Sequence, residues 1–135
     1  MERLIQEIYA DSPWRMLIGC IMLNQTTSKQ VYKIHKEFFR RYPDAVEAGR
    51  ADPNEMSELL APLGLKNNRT KTIRRFSSDW INLDWKNPIE LFGIGKYASD
   101  SYEIFIKKNL NVEPTDKVLL KYLKDNKVDT IYIKP

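Results

Sequence analysis

The sequence predicts an all-α fold, a compact helical domain, on three observations. Its apolar residues recur at helical spacing, its glycines and prolines fall between the periodic blocks, and only Thr130 to Ile133 has strand-like composition, a run too short to define a sheet. At 135 residues the chain fits one domain over residues 1–135, large enough to bury roughly two-thirds of its unfolded surface.

Leu4, Ile5 and Ile8 give a short first helix. Ser12 followed by Pro13 reads as an N-cap with proline at the first helical position, and Trp14, Leu17, Ile18 and Ile21 form the buried stripe of the second helix. Asn24 to Thr27 interrupt the pattern. Ser28 can cap the third helix, whose inward face is Val31, Ile34 and Phe38 and which Pro43 ends. Asp52, Pro53 and Glu55 start another with the spacing of a capping box; Met56, Leu59 and Leu60 point inward, and Gly64 supplies a left-handed stop. Ile73, Phe76 and Trp80 mark a basic amphipathic helix from about Asn68 to Ile81. A single turn from Asn87 and Pro88 then runs into Gly93-Ile94-Gly95 and a helix carrying Tyr97, Ile104 and Phe105. The arrangement over about residues 88–106 is helix, glycine hairpin, helix. After the polar stretch Asn109 to Glu113, a last helix begins near Asp116 with Val118, Leu119, Tyr122 and Leu123.

Composition narrows the chemistry. Hydrophobic residues make up 42% and charged residues 30%, with no apolar run of membrane-spanning length, so no membrane role is expected. The start, MERLIQEIYADSPW, lacks the basic-then-apolar pattern of a secretory signal, and the expectation is an intracellular monomer. Cys20 and His35 each stand alone, so no disulfide, iron–sulfur cluster or zinc site is expected, and no cofactor or metal. Cys20 lies within MLIGCIML and reads as core rather than nucleophile. The net charge of +4 suits a polyanionic partner. Basic residues cluster at Lys66, Arg69, Lys71, Arg74 and Arg75 and again at Lys107, Lys108, Lys117, Lys121 and Lys124; on composition alone each cluster reads as a solvated helix face.

Two glycines flanking one apolar residue let the backbone turn tightly with its amides exposed. Gly93, Ile94 and Gly95 could hold a phosphate through main-chain groups beside a helix N-terminus, with Lys96 adding Coulomb attraction. A bare GxG is more often a plain turn. Asp116, after Pro114 and Thr115, sits where a carboxylate commonly just caps a helix and complements its dipole. Asp100, one helical turn past the hairpin, reads as its support, while Asp125 and Asp129 read as surface.

Taken together, LFGIGKYASDSYEIF followed by VEPTDKVLLKYL resembles the helix-hairpin-helix DNA glycosylase superfamily, in which such a hairpin precedes a proline-containing loop and an aspartate. More narrowly, IQEIYADSPWRMLIGCIMLNQTT, ELLAPLGLKNNRTKTI and PIELFGIGKYASDSY are similar to the glycosylase domain of the methyl-CpG-binding-domain thymine glycosylases, over residues 4 to about 124. The resemblance implies that Asp116 is the catalytic carboxylate and that Gln6 and Tyr97 hold a flipped pyrimidine. It implies that Leu63, Gly64 and Leu65 form a wedge loop, with one leucine entering the duplex and the other closing a helix. Gly93 and Gly95 would grip phosphate, with Arg69 and Lys117 also on the DNA, and Gln25 would fill the gap left by the extruded base. Bifunctional relatives carry a Schiff-base lysine where this chain has Tyr97, which implies base removal without strand cleavage. The four-cysteine loop of other relatives is missing, Gln25 stands where the nearest group has arginine, and no methyl-CpG-binding domain is expected, so targeting to CpG is not implied.

The expected activity is therefore hydrolysis of mismatched thymine or uracil from double-stranded DNA during base excision repair. Three alternatives compete with it. A non-catalytic helix-hairpin-helix binding module would need the hairpin and basic faces, but not Asp116, Gln6 and Tyr97 together. A glycosylase for another base, such as mispaired adenine or an alkylated purine, is disfavoured by Tyr97 after the hairpin and by the missing cysteine cluster. A purely structural helical protein leaves the hairpin and its aspartate as coincidences.

Overall fold

A computed structural model describes the backbone of residues 3–133 and the side chains of residues 3–126. Among the described residues the architecture is helical throughout, with no strand. The helices are α1 (Ile5–Ile8), α2 (Pro13–Leu23), α3 (Ser28–Arg41), α4 (Ala45–Gly49), α5 (Pro53–Leu60), α6 (Lys66–Asn82), α7 (Lys96–Ser101) and α8 (Lys117–Ile133). Single 3-10 turns occupy Ala61–Leu63 and Pro88–Glu90, and α7 continues as a π-helical turn over Tyr102–Ile106.

Helix α2 is the axis of the fold, packing against α1, α3, α6 and α7. The expected stripe of Trp14, Leu17, Ile18 and Ile21 is buried, and so are Met16, Gly19, Cys20 and Met22, the pattern of a helix covered on every side. Glycine is needed at position 19. A Cβ there would stand 2.4 Å from Ile5 Cγ2, so Gly19 lets α1 lie directly on α2. Helix α3 buries Val31, Ile34 and Phe38 as its periodicity predicts. Its N-cap is Thr27, whose hydroxyl accepts from the Gln30 amide, rather than Ser28, which is already the first helical residue.

Helix α4 has no counterpart in the periodicity, because five residues are too few to show one. The readable sign is Asp44, whose side chain accepts from the Glu47 amide at 2.9 Å. Asp52 caps α5 by accepting from the Asn54 and Glu55 amides. The left-handed residue ahead of α6 is Leu65 (φ 51, ψ 39), while Gly64 has φ 78 and ψ 166. Helix α6 begins at Lys66, two residues before its expected start, and buries Ile73 and Phe76 in the core.

The strand-like composition of Thr130 to Ile133 does not become a strand, since α8 runs through Ile133. Local β-preference is weak against continuation of a helix whose earlier turns pack at Leu119 and Leu123. Asp125 is exposed and paired with Lys121, and Asp129 lies outside the described side chains.

Two apolar clusters result. The larger joins α1 to α6 and the hairpin; the smaller joins Ile104, Phe105, Leu119 and Leu123, with Leu4, Leu110, Val112 and Tyr122 around it. Tyr97 packs on both. The seam between the clusters is where the candidate site forms.

Candidate active site

A cleft of about 730 Å³ opens at that seam, lined among others by Leu4, Gln6, Leu23, Asn24, Gln25, Tyr32, Tyr97, Thr115 and Asp116. Three residues singled out in the sequence, Gln6, Tyr97 and Asp116, thus meet in one cavity although they sit on α1, on α7 and ahead of α8.

Gln6 is 1% exposed, and its amide nitrogen donates to the Tyr97 hydroxyl at 2.6 Å and to the Ser101 hydroxyl at 3.2 Å. An amide buried to this degree requires partners, and two hydroxyls one helical turn apart on α7 supply them. Burial pushes the Tyr97 hydroxyl well above the usual tyrosine range, and the charge of Asp116 pushes it in the same direction. The phenol therefore stays protonated at neutral pH. Because its oxygen accepts from Gln6, its own hydrogen remains available to a ligand.

Asp116 is the N-cap of α8. Its Oδ2 accepts from the Leu119 amide at 3.0 Å and its carbonyl from the Leu120 amide at 3.0 Å. Capping and lining the cleft are compatible, because the cap contact occupies one carboxylate oxygen and leaves the other for a substrate or water. Behind these groups stands Cys20, 2% exposed, with its thiol pushed up to about 12, by burial first and by the Asp116 charge as well. It is a neutral wall of the site, as its apolar neighbours in sequence suggest, and no nucleophile at physiological pH.

A second cleft of about 610 Å³ adjoins the first, and Asn24, Gln25 and Tyr97 line both. It gathers Leu65, Asn68, Thr72, Gly93, Gly95 and Lys96. Gln25 is exposed in a left-handed conformation (φ 59), which turns the α2–α3 loop outward between the two clefts. Gly93 takes φ 85, and a Cβ there would stand 2.5 Å from Thr72 Cγ2, so glycine lets the hairpin lie against α6. Gly95 is exposed, with open space where a Cβ would be.

Several residues expected on DNA are placed differently. Ile94 is 7% exposed and its amide donates to the Leu91 carbonyl at 3.3 Å, so the amides open to a ligand at the hairpin do not include it. Leu63 is 4% exposed inside the larger cluster, whereas Leu65 is 53% exposed at the lip of the second cleft beside the exposed Gly64. Of the two leucines, only Leu65 presents its side chain to solvent. Arg69 is 5% exposed, and its guanidinium donates to the carbonyls of Gly64, Ile21, Met22 and Leu63. It ties the Leu63–Leu65 loop to the end of α2, and four of its N–H groups are committed to these carbonyls. Lys96 donates to Asp100 and to the Glu113 carbonyl, and Lys117 is exposed at the first turn of α8. The sequence reading missed Ser101, Asn24 and Tyr32. Ser101 could have been found from its i,i+4 spacing to Tyr97, which puts both hydroxyls on one helix face; the other two carry no such signal.

This geometry has known relatives. A "Methyl-CpG-binding domain protein 4-like protein" of Arabidopsis thaliana is 38% identical over 120 residues, covering 88% of this chain and 27% of its own length. A "Thymine/uracil-DNA glycosylase" of Pyrobaculum aerophilum is 31% identical over 97 residues, covering 67% of this chain and 42% of its own. Among solved structures, that of a thermostable thymine-DNA glycosylase superposes with a TM-score of 0.67 at 25% identity, over 71% of this chain and 48% of that one. The chain thus spans between about a quarter and a half of the length of these proteins. Residues 18–129, from the middle of α2 into α8, match one family throughout, and the chain belongs to the HhH-GPD superfamily of base excision DNA repair proteins.

Proposed function

We propose that the chain is a monofunctional DNA glycosylase, working as an intracellular monomer, that hydrolyses the N-glycosidic bond of thymine or uracil mispaired with guanine and leaves an abasic site. The observation that carries the reading is the convergence of Gln6, Tyr97 and Asp116 on one cleft. A base inside a duplex cannot be reached, so the nucleotide must be extruded, at a cost of a few kcal/mol that is smaller for a mismatch than for a proper pair. Gln25, exposed where the two clefts meet, and Leu65, exposed at the lip of the second, are the side chains available to enter the stack as the base leaves.

Within the cleft the Tyr97 hydroxyl offers its hydrogen to a base carbonyl, and the Gln6 side-chain oxygen, its NH2 being committed to Tyr97 and Ser101, accepts from the pyrimidine N3–H. Departure of the base builds positive charge on the sugar; the Asp116 carboxylate stabilises that charge and orients or deprotonates the attacking water. Strand cleavage through an amine is disfavoured, since a protonated phenol occupies the position of the Schiff-base lysine and the neighbouring amine of Lys96 is engaged by Asp100 and Glu113. The Pyrobaculum aerophilum relative and the solved thermostable thymine-DNA glycosylase, whose names carry thymine or uracil, support the base class.

The decisive experiment incubates purified protein with duplexes carrying T·G, U·G, A·8-oxoguanine or T·A and then cleaves abasic sites with alkali. Cleavage confined to T·G and U·G is expected, without strand scission before alkali. Cleavage at A·8-oxoguanine alone would assign another base, and binding without any cleavage would leave a DNA-binding module.

A further inference from the structure

We infer that Lys96 is a positioning residue, which tethers the loop delivering Asp116 to the cleft. The inference rests on the proposed role of Asp116. Lys96 is the first residue of α7, directly after the hairpin, where a lysine is easily assigned to phosphate. Its ammonium instead sits 2.9 Å from Asp100 Oδ2 and 3.0 Å from the Glu113 carbonyl. Asp100 is 12% exposed at its side chain, so its carboxylate depends on the lysine for compensation. The cation in turn holds a carbonyl three residues ahead of Asp116.

The segment between the π-helical turn and α8 lacks regular structure from Lys107 to Asp116, and α8 takes hold of it only at its last residue, through the Asp116 cap. Its beginning is anchored by the Asn109 amide donating to the Glu103 carbonyl at 2.8 Å, and its middle by Leu110 and Val112 on the smaller apolar cluster. Between there and the Asp116 cap the holds are the buried ring of Pro114 and the Lys96 bond to Glu113. Lys96 therefore links two parts of the site, the hairpin and the carboxylate, through one charged group. A misplacement of about 1 Å at a reacting group can cost on the order of 100-fold in rate, so loosening this link should act on chemistry rather than on DNA affinity.

The test compares wild type, Lys96→Met, Lys96→Gln and Lys96→Arg by amide hydrogen exchange, by affinity for a T·G duplex across salt, and by single-turnover excision. Expected for Met and Gln are faster exchange of the Leu119 and Leu120 amides, which donate to Asp116, by fivefold or more and an excision rate lower by about 10- to 100-fold. Affinity should change less than about twofold with the salt slope intact, and arginine should restore both rate and protection. A salt slope reduced by about 0.9 with unchanged loop exchange would make Lys96 a phosphate ligand and overturn the inference. Unchanged exchange with any change in rate would overturn it too. If wild type excises nothing, the exchange data still decide whether the tether exists, and only the glycosylase reading falls.

Discussion

Gln6 on α1 donates its amide hydrogen to the Tyr97 hydroxyl on α7 at 2.6 Å, joining in the cleft two residues 91 positions apart in the chain. Gln6→Ala should leave the half-buried Tyr97 hydroxyl and a bound base edge short of one partner, costing ~1–3 kcal/mol in transition-state binding for thymine and uracil alike. Tyr97→Phe should cost a comparable amount if the hydroxyl bonds the base, and less if the ring mainly stacks. Melting temperature and single-turnover excision measured on the same preparations separate these outcomes from plain destabilisation, in which the folded fraction would keep its rate.

Asp116→Asn should retain the helix cap, because asparagine caps about as well as aspartate and can still accept from the Leu119 amide. It should lose excision by roughly 100- to 1000-fold, the usual effect of removing a preorganised transition-state partner. Wild-type single-turnover rates in this variant would remove Asp116 from the chemistry.

The two leucines of the proposed wedge loop should part company. Leu63→Ala empties a core position and should destabilise by ~2–5 kcal/mol in a urea melt. Leu65→Ala touches an exposed side chain and should shift stability by no more than ~0.5 kcal/mol, while slowing excision from a T·G duplex. Equal excision by Leu65→Ala and wild type would take the wedge away from this loop.

Arg69→Met should act on folding before DNA binding. The guanidinium serves four main-chain carbonyls, and stranding even two of them costs about 3 kcal/mol or more. A stable variant with weakened, less salt-sensitive DNA binding would return Arg69 to the phosphate backbone.

Cys20 predicts the alkaline limb of stability. Its thiol is raised from 9.0 to about 12 in the folded protein, so the folded state holds that proton more tightly than the unfolded chain. The contribution is complete below pH 9.0 and is lost as pH climbs toward about 12, with Tyr97 acting in the same direction above 10.0. Urea melts at pH 7, 9 and 10.5 should show stability falling over the upper interval, and Cys20→Ala should flatten that fall.

What the sequence alone determined is what depends on near neighbours in the chain. Helical period marked α2, α3, α5 and α6, and Pro13 and Asp52 marked the starts of α2 and α5. The hairpin glycines and the aspartate ahead of α8 were legible because turns and caps are built from a few consecutive residues. The short helix α4 and the continuation of α8 were not, since one has too few residues to show a period and the other follows a helix already begun. Only the tertiary structure decided what each polar side chain does. Leu63 and Leu65 are alike in sequence, yet one faces the core and the other a cleft. Arg69 and Lys96 have the charge of phosphate ligands, but carbonyls and a buried carboxylate brought from elsewhere in the fold engage them. A cation binds whichever acceptors folding places within reach, and burial of Asp100 and of the α2 carbonyls makes those partners costly to leave unpaired.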